Sequence, residues 1–220
     1  MLKSLRARVR ERVWGRRDEA NEPMGQQGPD FYDRTFQADD SWRRHYTESP
    51  YYFIWTVIID RLRRAKTSRL LEIACGSGQL AKAILDARIV SDYRGFDFSQ
   101  ARLEFARSMC PGVCFEVADA NTTSLFDDFD YDTAIATEFL EHVEQDLKVL
   151  RRLRPGTHFL GTVPNFPFVS HVRHFADAEQ VSERYHPLFD CLSVVQLAAN
   201  DRGKRFFLLE GVRNGGHGPS

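Results

Sequence analysis

The fold of this chain follows from one stretch of its sequence, Leu70-Leu71-Glu72-Ile73-Ala74-Cys75-Gly76-Ser77-Gly78-Gln79-Leu80-Ala81. An apolar run, a turn with two glycines and a run of helix formers predict a strand, a tight loop and a helix. The glycines allow the backbone to approach a bound ligand closely. Glu72 would repel a pyrophosphate and attract an ammonium group, so a cationic ligand is favoured. Taken alone, Gly76-x-Gly78-x-x-Ala81 also fits a dinucleotide-binding fingerprint.

Length and charge limit the classes of protein to which the chain can belong. The 220 residues favour a single domain, and the formal net charge of -1 gives no general attraction to nucleic acid. The four cysteines lack metal-binding spacing, and Cys75 lies inside the glycine loop, so we expect reduced thiols in a cytoplasmic protein. No apolar stretch reaches the length of a bilayer span.

The motif around the glycine loop has a known counterpart. Glu72-Ile73-Ala74-Cys75-Gly76-Ser77-Gly78 resembles the first motif of class I S-adenosylmethionine-dependent methyltransferases. The resemblance extends from about Leu70 to Val212, whereas the first third of the chain matches only loosely. It implies S-adenosylmethionine as the methyl donor. The residues of this stretch that it places in the donor site are Glu72, Ala74, Gly76 and Gly78.

Two acids follow the next predicted strands. Asp97 comes about 20 residues after the glycine loop, the separation at which a strand-end carboxylate receives ribose hydroxyls in doubly wound folds. The resemblance implies that Asp119 accepts the exocyclic amine of adenine, with Phe98 or Ala120 against the ring. Asp119 could instead only close a turn. Glu138, after the fourth strand, is also expected beside the donor.

The pattern Glu138-x-x-Glu141-His142 predicts a second kind of site. If the following helix has already begun, these three side chains lie on one face and can bind Mg²⁺ or another divalent metal. The arrangement resembles ubiquinone-pathway O-methyltransferases and the methyltransferases that modify the 3′ ends of small RNAs. In the latter a downstream histidine completes the metal shell, and His171 or His174 could do so here. Without a metal, His142 or His171 becomes the expected general base.

The organisation around this domain is predicted in four parts. Residues 1–30 form a basic extension and linker, either a solvated segment or an amphipathic helix that meets a membrane surface or a partner. Residues 31–66 form an aromatic-rich helical lid, residues 67–213 the donor-binding domain, and residues 214–220 a disordered tail. The predicted substrate contacts are Trp42, His45, Tyr46, Tyr51, Phe166 and Arg173. For Arg173 a structural ion pair is an equal alternative to holding an acidic substrate group.

Strands that alternate with helices predict the fold class. We expect an α/β, doubly wound, Rossmann-like and mostly parallel sheet with helices on both faces. Residues 189–199 and 204–212 flank a turn and predict an antiparallel C-terminal hairpin.

The predicted function is methyl transfer from S-adenosylmethionine to a small-molecule acceptor, with oxygen favoured over nitrogen. The alternatives are an RNA terminal-ribose 2′-O-methyltransferase, a non-catalytic partner subunit with the donor fold, and a nicotinamide-dependent dehydrogenase. The sequence leaves open whether the protein forms an oligomer.

Overall fold

The computed structural model describes residues 25–199 and 203–215. The predicted basic helix within residues 1–17, the first residues of the linker, three residues of the hairpin turn and the last five residues lie outside this range. Across the described ranges, no helix has both the length and the apolar character that crossing a membrane requires.

One sheet organises the structure. In the described residues it has seven strands in the order β3-β2-β1-β4-β5-β7-β6. The strands are β1 (Arg69–Ile73), β2 (Asp92–Asp97), β3 (Cys114–Val117), β4 (Thr133–Thr137), β5 (His158–Pro164), β6 (Phe189–Ala198) and β7 (Arg205–Arg213). Strands β1 to β5 pair in parallel, whereas β7 runs antiparallel to both β5 and β6. The predicted fold class is therefore confirmed, including the antiparallel hairpin.

Helices cover both faces of this sheet. They are α1 (Pro29–Ala38), α2 (Tyr52–Arg64), α3 (Gln79–Asp86), α4 (Gln100–Met109), α5 (Leu125–Asp128), α6 (Asp146–Arg151) and α7 (Ala178–Tyr185). Alternate strand residues feed two separate cores. Leu71 and Ile73 pack with α5, α6 and α7, whereas Leu70 packs with α2, α3 and α4. This alternation follows from the two-residue period of a strand.

The loop after β1 needs glycine at one position for two reasons. Gly78 caps α3 in the left-handed conformation, with φ 78°. A Cβ atom there would lie 2.9 Å from the Cβ of Ala106 in α4. Gly78 therefore allows α3 and α4 to approach each other beside the loop that was predicted to bind the donor.

The Glu138–His142 segment is not helical, contrary to one condition of the metal-site prediction. Glu138 has a positive φ of 51°, and its backbone N–H donates to the Thr162 hydroxyl at 2.9 Å. Helix α6 begins only at Asp146. Any convergence of these side chains therefore results from a turn between β4 and α6 rather than from helical spacing.

A buried carboxylate fixes α6 against α7. Asp146 is fully buried and accepts hydrogen bonds from the Arg184 guanidinium at 2.6 and 2.9 Å and from the Tyr185 hydroxyl at 2.8 Å. The Arg173 guanidinium lies 3.3 Å from the same carboxylate. One acid thus pairs with two arginines on the edge of the core.

We expect Asp146→Ala to lower the free energy of unfolding by about 3 kcal/mol, because it leaves partly buried guanidinium groups unpaired. Urea unfolding followed by circular dichroism measures this change. Asp128→Ala, at an exposed position, is the matched control and should change stability by less than about 0.5 kcal/mol. Equal effects of the two substitutions would contradict the role given to Asp146.

Candidate active site

A cleft opens at the carboxyl ends of the parallel strands and consists of two adjoining cavities. The larger has a volume of about 390 Å³ and reaches the residues after β1, β4 and β5. The smaller, about 90 Å³, reaches those after β2 and β3. Residues that line both are Tyr32, Ala74, Arg102, Glu138 and His142. Open α/β sheets bind ligands at this edge, where the strand order reverses.

Glu72 contributes a buried carboxylate to the larger cavity. Its Oε2 atom accepts a hydrogen bond from the Tyr93 hydroxyl. Burial raises the pKa of Glu72 to about 8, and the nearby Asp97 acts in the same direction. The carboxylate has no ion-pair partner among residues 25–199 and 203–215, so a bound cation would find an acid that is already positioned.

Asp97 joins the glycine loop to the smaller cavity. Its two oxygens accept the backbone N–H groups of Gly76 and Ser99, both at 2.9 Å. Burial raises the pKa of Asp97 above its usual value. Each carboxylate oxygen retains a second lone pair, so the side chain can still accept hydroxyl groups from a ligand in the cavity.

The smaller cavity also brings together the other residues predicted around the donor nucleoside, Phe98, Asp119 and Ala120. Asp119 is exposed, and one of its oxygens accepts both the backbone N–H and the side-chain amide of Asn121, at 2.8 and 2.9 Å. It therefore closes a turn and lines the cavity at the same time. The two roles that the sequence left open are compatible.

The first helix forms a roof over the junction of the two cavities. The Tyr32 ring lies 5.2 Å from Phe98 and 6.0 Å from His142, measured between centroids. The Arg102 guanidinium lies 4.9 Å from the Tyr32 ring and 5.4 Å from the Trp42 ring. Asp33 accepts hydrogen bonds from the Ser99 hydroxyl and the Ala101 backbone N–H, which ties the roof to α4.

Three predicted metal ligands converge beside this junction. Glu141, His142 and His171 each offer a ligand atom, and these atoms lie within 4.8 Å of one another. The Oε1 atom of Glu141 is 3.8 Å from Nε2 of His142. Glu141 is fully buried, and within residues 25–199 and 203–215 neither of its carboxylate oxygens has a hydrogen-bond partner.

Both imidazoles are oriented by the backbone. His142 Nδ1 lies 3.0 Å from the Ser170 carbonyl, and His171 Nδ1 lies 3.1 Å from the Phe166 carbonyl. Because a carbonyl only accepts, each Nδ1 carries the proton and each Nε2 keeps a free lone pair. This is how metal-binding histidines are usually oriented.

Glu141, His142 and His171, which we call the triad, have protonation states that depend mainly on their burial. Burial, followed by the neighbouring His171, lowers the pKa of His142 to about 3, and burial lowers the pKa of His171 to about 4. Both rings are neutral at pH 7 and available as ligands, but they are weak bases. Burial and the nearby Glu138 raise the pKa of Glu141 well above its usual range.

The other two predicted metal ligands stand apart from this triad. Glu138 lines both cavities, accepts a hydrogen bond from the Thr162 hydroxyl at 2.9 Å, and has its pKa raised by burial to about 8. It does not belong to the group within 4.8 Å. His174 is exposed and is also outside this group.

The comparison with protein families agrees with the geometry of the cleft. A family model described as a methyltransferase domain matches residues 71–158, which include the glycine loop, both strand-end acids and the start of the triad. Over these residues the chain is similar to a methyltransferase domain, as the resemblance to class I S-adenosylmethionine-dependent methyltransferases implies. The resemblance identified from the sequence is thereby confirmed. A comparison with curated proteins finds no significant sequence match.

Solved methyltransferase structures share the fold of this domain. The N-methyltransferase NodS from Bradyrhizobium japonicum WM9, in complex with S-adenosyl-L-homocysteine, is 18% identical; the alignment covers 86% of this chain and 100% of that chain, with a TM-score of 0.61. Magnesium protoporphyrin IX methyltransferase from Synechocystis PCC 6803 with bound S-adenosylmethionine is 16% identical; the alignment covers 84% of this chain and 95% of that chain, with a TM-score of 0.60. The methyltransferase domain of bacterial CtHen1-C is 15% identical; the alignment covers 73% of this chain and 96% of that chain, with a TM-score of 0.55.

The predicted substrate residues of the methyltransferase divide into two groups. Trp42, Tyr51 and Phe166 line the larger cavity. His45 and Tyr46 do not, because they cap and begin a short 3-10 turn that packs against α3. His45 Nδ1 lies 2.8 Å from the Thr47 hydroxyl, within that turn.

Arg173 acts within the protein instead of facing the cleft. Its guanidinium donates to the carbonyls of Leu140, Val143 and Glu144 and pairs with Asp146. It lines neither cavity. These contacts hold the turn that carries Glu141, so the structural alternative for Arg173 accounts for its position.

The cavity lining includes residues that the sequence analysis does not select, among them Tyr32, Arg102 and Lys204. Tyr32 stood within the recognised aromatic run but was not selected. Arg102 lies on the helix predicted after Ser99, and no local pattern distinguishes it from the other residues of that helix. Lys204 lies with its ammonium 4.5 Å from the Phe166 ring centroid, and nothing in its local sequence indicated a position in the cleft.

Proposed function

We propose that this methyltransferase transfers the methyl group of S-adenosylmethionine to a hydroxyl oxygen of a small-molecule acceptor, with assistance from a divalent cation held by Glu141, His142 and His171. One observation carries the proposal: Glu141 is fully buried, neither of its oxygens has a hydrogen-bond partner among the described residues, and ring nitrogens of His142 and His171 lie within 4.8 Å of it. A buried, unpaired carboxylate is costly unless a proton or a cation neutralises it.

The residues proposed to bind the donor imply one orientation of the donor across the two cavities. Adenosine occupies the smaller cavity, with Asp97 at the ribose hydroxyls and Asp119 at the exocyclic amine. The methionine portion extends into the larger cavity beside Glu72 and the glycine loop. Its ammonium group then meets the buried carboxylate of Glu72, and its methyl group faces the triad.

The ligand set favours particular cations. One carboxylate and two imidazoles suit Mn²⁺, Fe²⁺, Co²⁺ or Zn²⁺ better than Mg²⁺, which prefers oxygen ligands and water. Cation binding would displace the proton that an isolated Glu141 carries. The neutral state of both histidines favours binding for the same reason.

The reaction needs alignment more than covalent catalysis. A bound cation would supply Lewis-acid stabilisation of the acceptor oxygen as it loses its proton. The acceptor hydroxyl releases its proton to the buffer as it binds. Its oxygen then forms a bond to the methyl carbon while the carbon–sulfur bond breaks and leaves its electron pair on sulfur, which yields a methyl ether and S-adenosylhomocysteine. The roof formed by Tyr32 and Trp42 excludes water, and the cleft holds the two reactants in line.

The walls of the larger cavity favour an aromatic acceptor with an acidic group. Rings from the lid and from the segment after β5 form much of the lining: Phe31, Tyr32, Trp42, Tyr51, Trp55, Phe166 and Phe168. Lys204 lies above one of these rings, and its charge is close enough to lower the pKa of His171 further. A catechol bearing a carboxylate matches both features and offers two neighbouring oxygens to a cation.

We expect purified protein to methylate 3,4-dihydroxybenzoate faster than 4-methylcatechol, with tritiated S-adenosylmethionine as donor. Excess chelator should abolish the transfer, and Mn²⁺ or Co²⁺ should restore it. Full activity in excess chelator would overturn the role of the cation. Labelling of a short RNA at its 3′ end, with neither catechol methylated, would overturn the small-molecule acceptor and favour the RNA alternative.

A further inference from the structure

Tyr93 makes a contact that the proposed reaction does not yet use. It lies on β2, is buried, and donates its hydroxyl hydrogen to Oε2 of Glu72 on the neighbouring strand β1. The pairing register places Glu72 opposite Gly95. The tyrosine side chain therefore runs along the sheet, over Gly95, to reach the carboxylate.

Gly95 leaves the space that this contact needs. A Cβ atom at position 95 would lie 2.9 Å from the Tyr93 hydroxyl oxygen and 3.0 Å from Cβ and Sγ of Cys75. Glycine in the interior of a strand weakens the strand and often marks a close approach. Here the approaching group is the hydroxyl that holds Glu72.

We propose that Tyr93 is a positioning residue for the methyl donor, because its hydroxyl fixes the rotamer of Glu72 and favours the ionised carboxylate that receives the donor ammonium. The proposal rests on the donor orientation given above. A hydrogen bond to a charged acceptor is stronger than one between neutral groups. With one oxygen of Glu72 held by Tyr93, the other is available on the cavity side.

The surroundings of Glu72 make this hydrogen bond important. Burial and Asp97 raise the pKa of Glu72, and the hydrogen bond from Tyr93 opposes them. The other titratable groups near this carboxylate are Cys75, Cys110 and Asp97, none of which is cationic. Within the described ranges, Tyr93 is thus the group that stabilises the carboxylate before a ligand arrives.

Binding of two ligands distinguishes a role of Tyr93 in positioning the donor from a general role in the fold. S-adenosylhomocysteine carries the ammonium group, whereas 5′-methylthioadenosine has the same nucleoside but lacks the amino acid. Calorimetry on the full chain should show that Tyr93→Phe weakens S-adenosylhomocysteine binding about tenfold. The affinity for 5′-methylthioadenosine should stay within about twofold. Phenylalanine retains the edge-to-face contact with Phe115, 5.9 Å between centroids, so the fold is preserved.

Two further variants complete the test. Gly95→Ala displaces the hydroxyl without removing it and should give the same ligand-selective loss. Glu72→Gln should give a larger selective loss. Equal weakening of both ligands by Tyr93→Phe, or no change in either, would overturn the role of Tyr93. If Glu72→Gln also leaves S-adenosylhomocysteine binding unchanged, the donor orientation itself is wrong.

Discussion

Replacing Glu141 by glutamine is expected to slow methyl transfer roughly a thousandfold while the affinity for S-adenosylhomocysteine stays within about twofold. The amide keeps the volume of the side chain but removes the anionic ligand, so the cation and its stabilisation of the acceptor oxygen are lost. Several kcal/mol of transition-state stabilisation correspond to this loss of rate. Initial rates at saturating donor measure the rate of methyl transfer. Calorimetric titrations measure the affinities for Mn²⁺ and for S-adenosylhomocysteine.

Glu144→Gln is the matched control for this prediction. Glu144 belongs to the same turn but is exposed, so its substitution should leave the rate and Mn²⁺ binding unchanged. If Glu141→Gln keeps wild-type turnover, the cation has no part in the reaction. If it loses Mn²⁺ binding and donor binding together, the triad supports the fold of the cleft instead of the chemistry.

Asp97→Ala is expected to weaken S-adenosylhomocysteine binding roughly a hundredfold. Two effects add. The variant loses the acceptors for the ribose hydroxyls, and it releases the backbone N–H groups of Gly76 and Ser99 that the carboxylate holds at 2.9 Å. Hydrogen bonds to a charged group of this kind contribute about 1.5–3 kcal/mol each. Calorimetry measures the change directly.

Asp92→Ala provides the comparison at the opposite end of the same strand, where the side chain is exposed. It should leave the dissociation constant unchanged. Asp97→Ala with wild-type affinity would reject the assignment of Asp97 to the ribose. If NAD competes with S-adenosylhomocysteine for the wild-type protein, the dehydrogenase alternative is supported instead.

The local part of this architecture was predictable from the sequence. The strand, glycine loop and helix around Glu72 are specified by residues that are adjacent in the chain, and so is the placement of Asp97 at the end of β2. Parallel strands bring their carboxyl ends to one edge, so the meeting of these acids follows from the fold class alone.

The triad was only partly predictable. The sequence offered His171 and His174 as alternatives, and helical spacing was the expected reason for convergence. The structure places His171, rather than His174, beside Glu141 and His142 through backbone contacts between distant segments: the Val172 N–H donates to the Glu141 carbonyl at 2.8 Å, and the Ser170 carbonyl lies 3.0 Å from His142 Nδ1. Contacts of this kind depend on the path of the loop after β5, which no local pattern encodes.

The lid was the least predictable region. An aromatic run identifies a segment that packs on the domain, but whether each ring faces the cleft or a neighbouring helix depends on short 3-10 turns. These turns place Trp42 in the cleft and Tyr46 against α3. Arg102 could not be recognised, because its role depends on the rings of Tyr32 and Trp42, which lie far from it in the sequence.

A crystal structure with S-adenosylhomocysteine and Co²⁺, with anomalous data collected at the cobalt edge, tests the central claim most directly. We expect one anomalous peak within bonding distance of a Glu141 oxygen and of Nε2 of His142 and His171, with the ribose hydroxyls at Asp97. Ligand density in the same cleft without an anomalous peak at the triad would contradict the proposed cation. Donor density away from Asp97 and Glu72 would contradict the proposed orientation of the donor in the cleft.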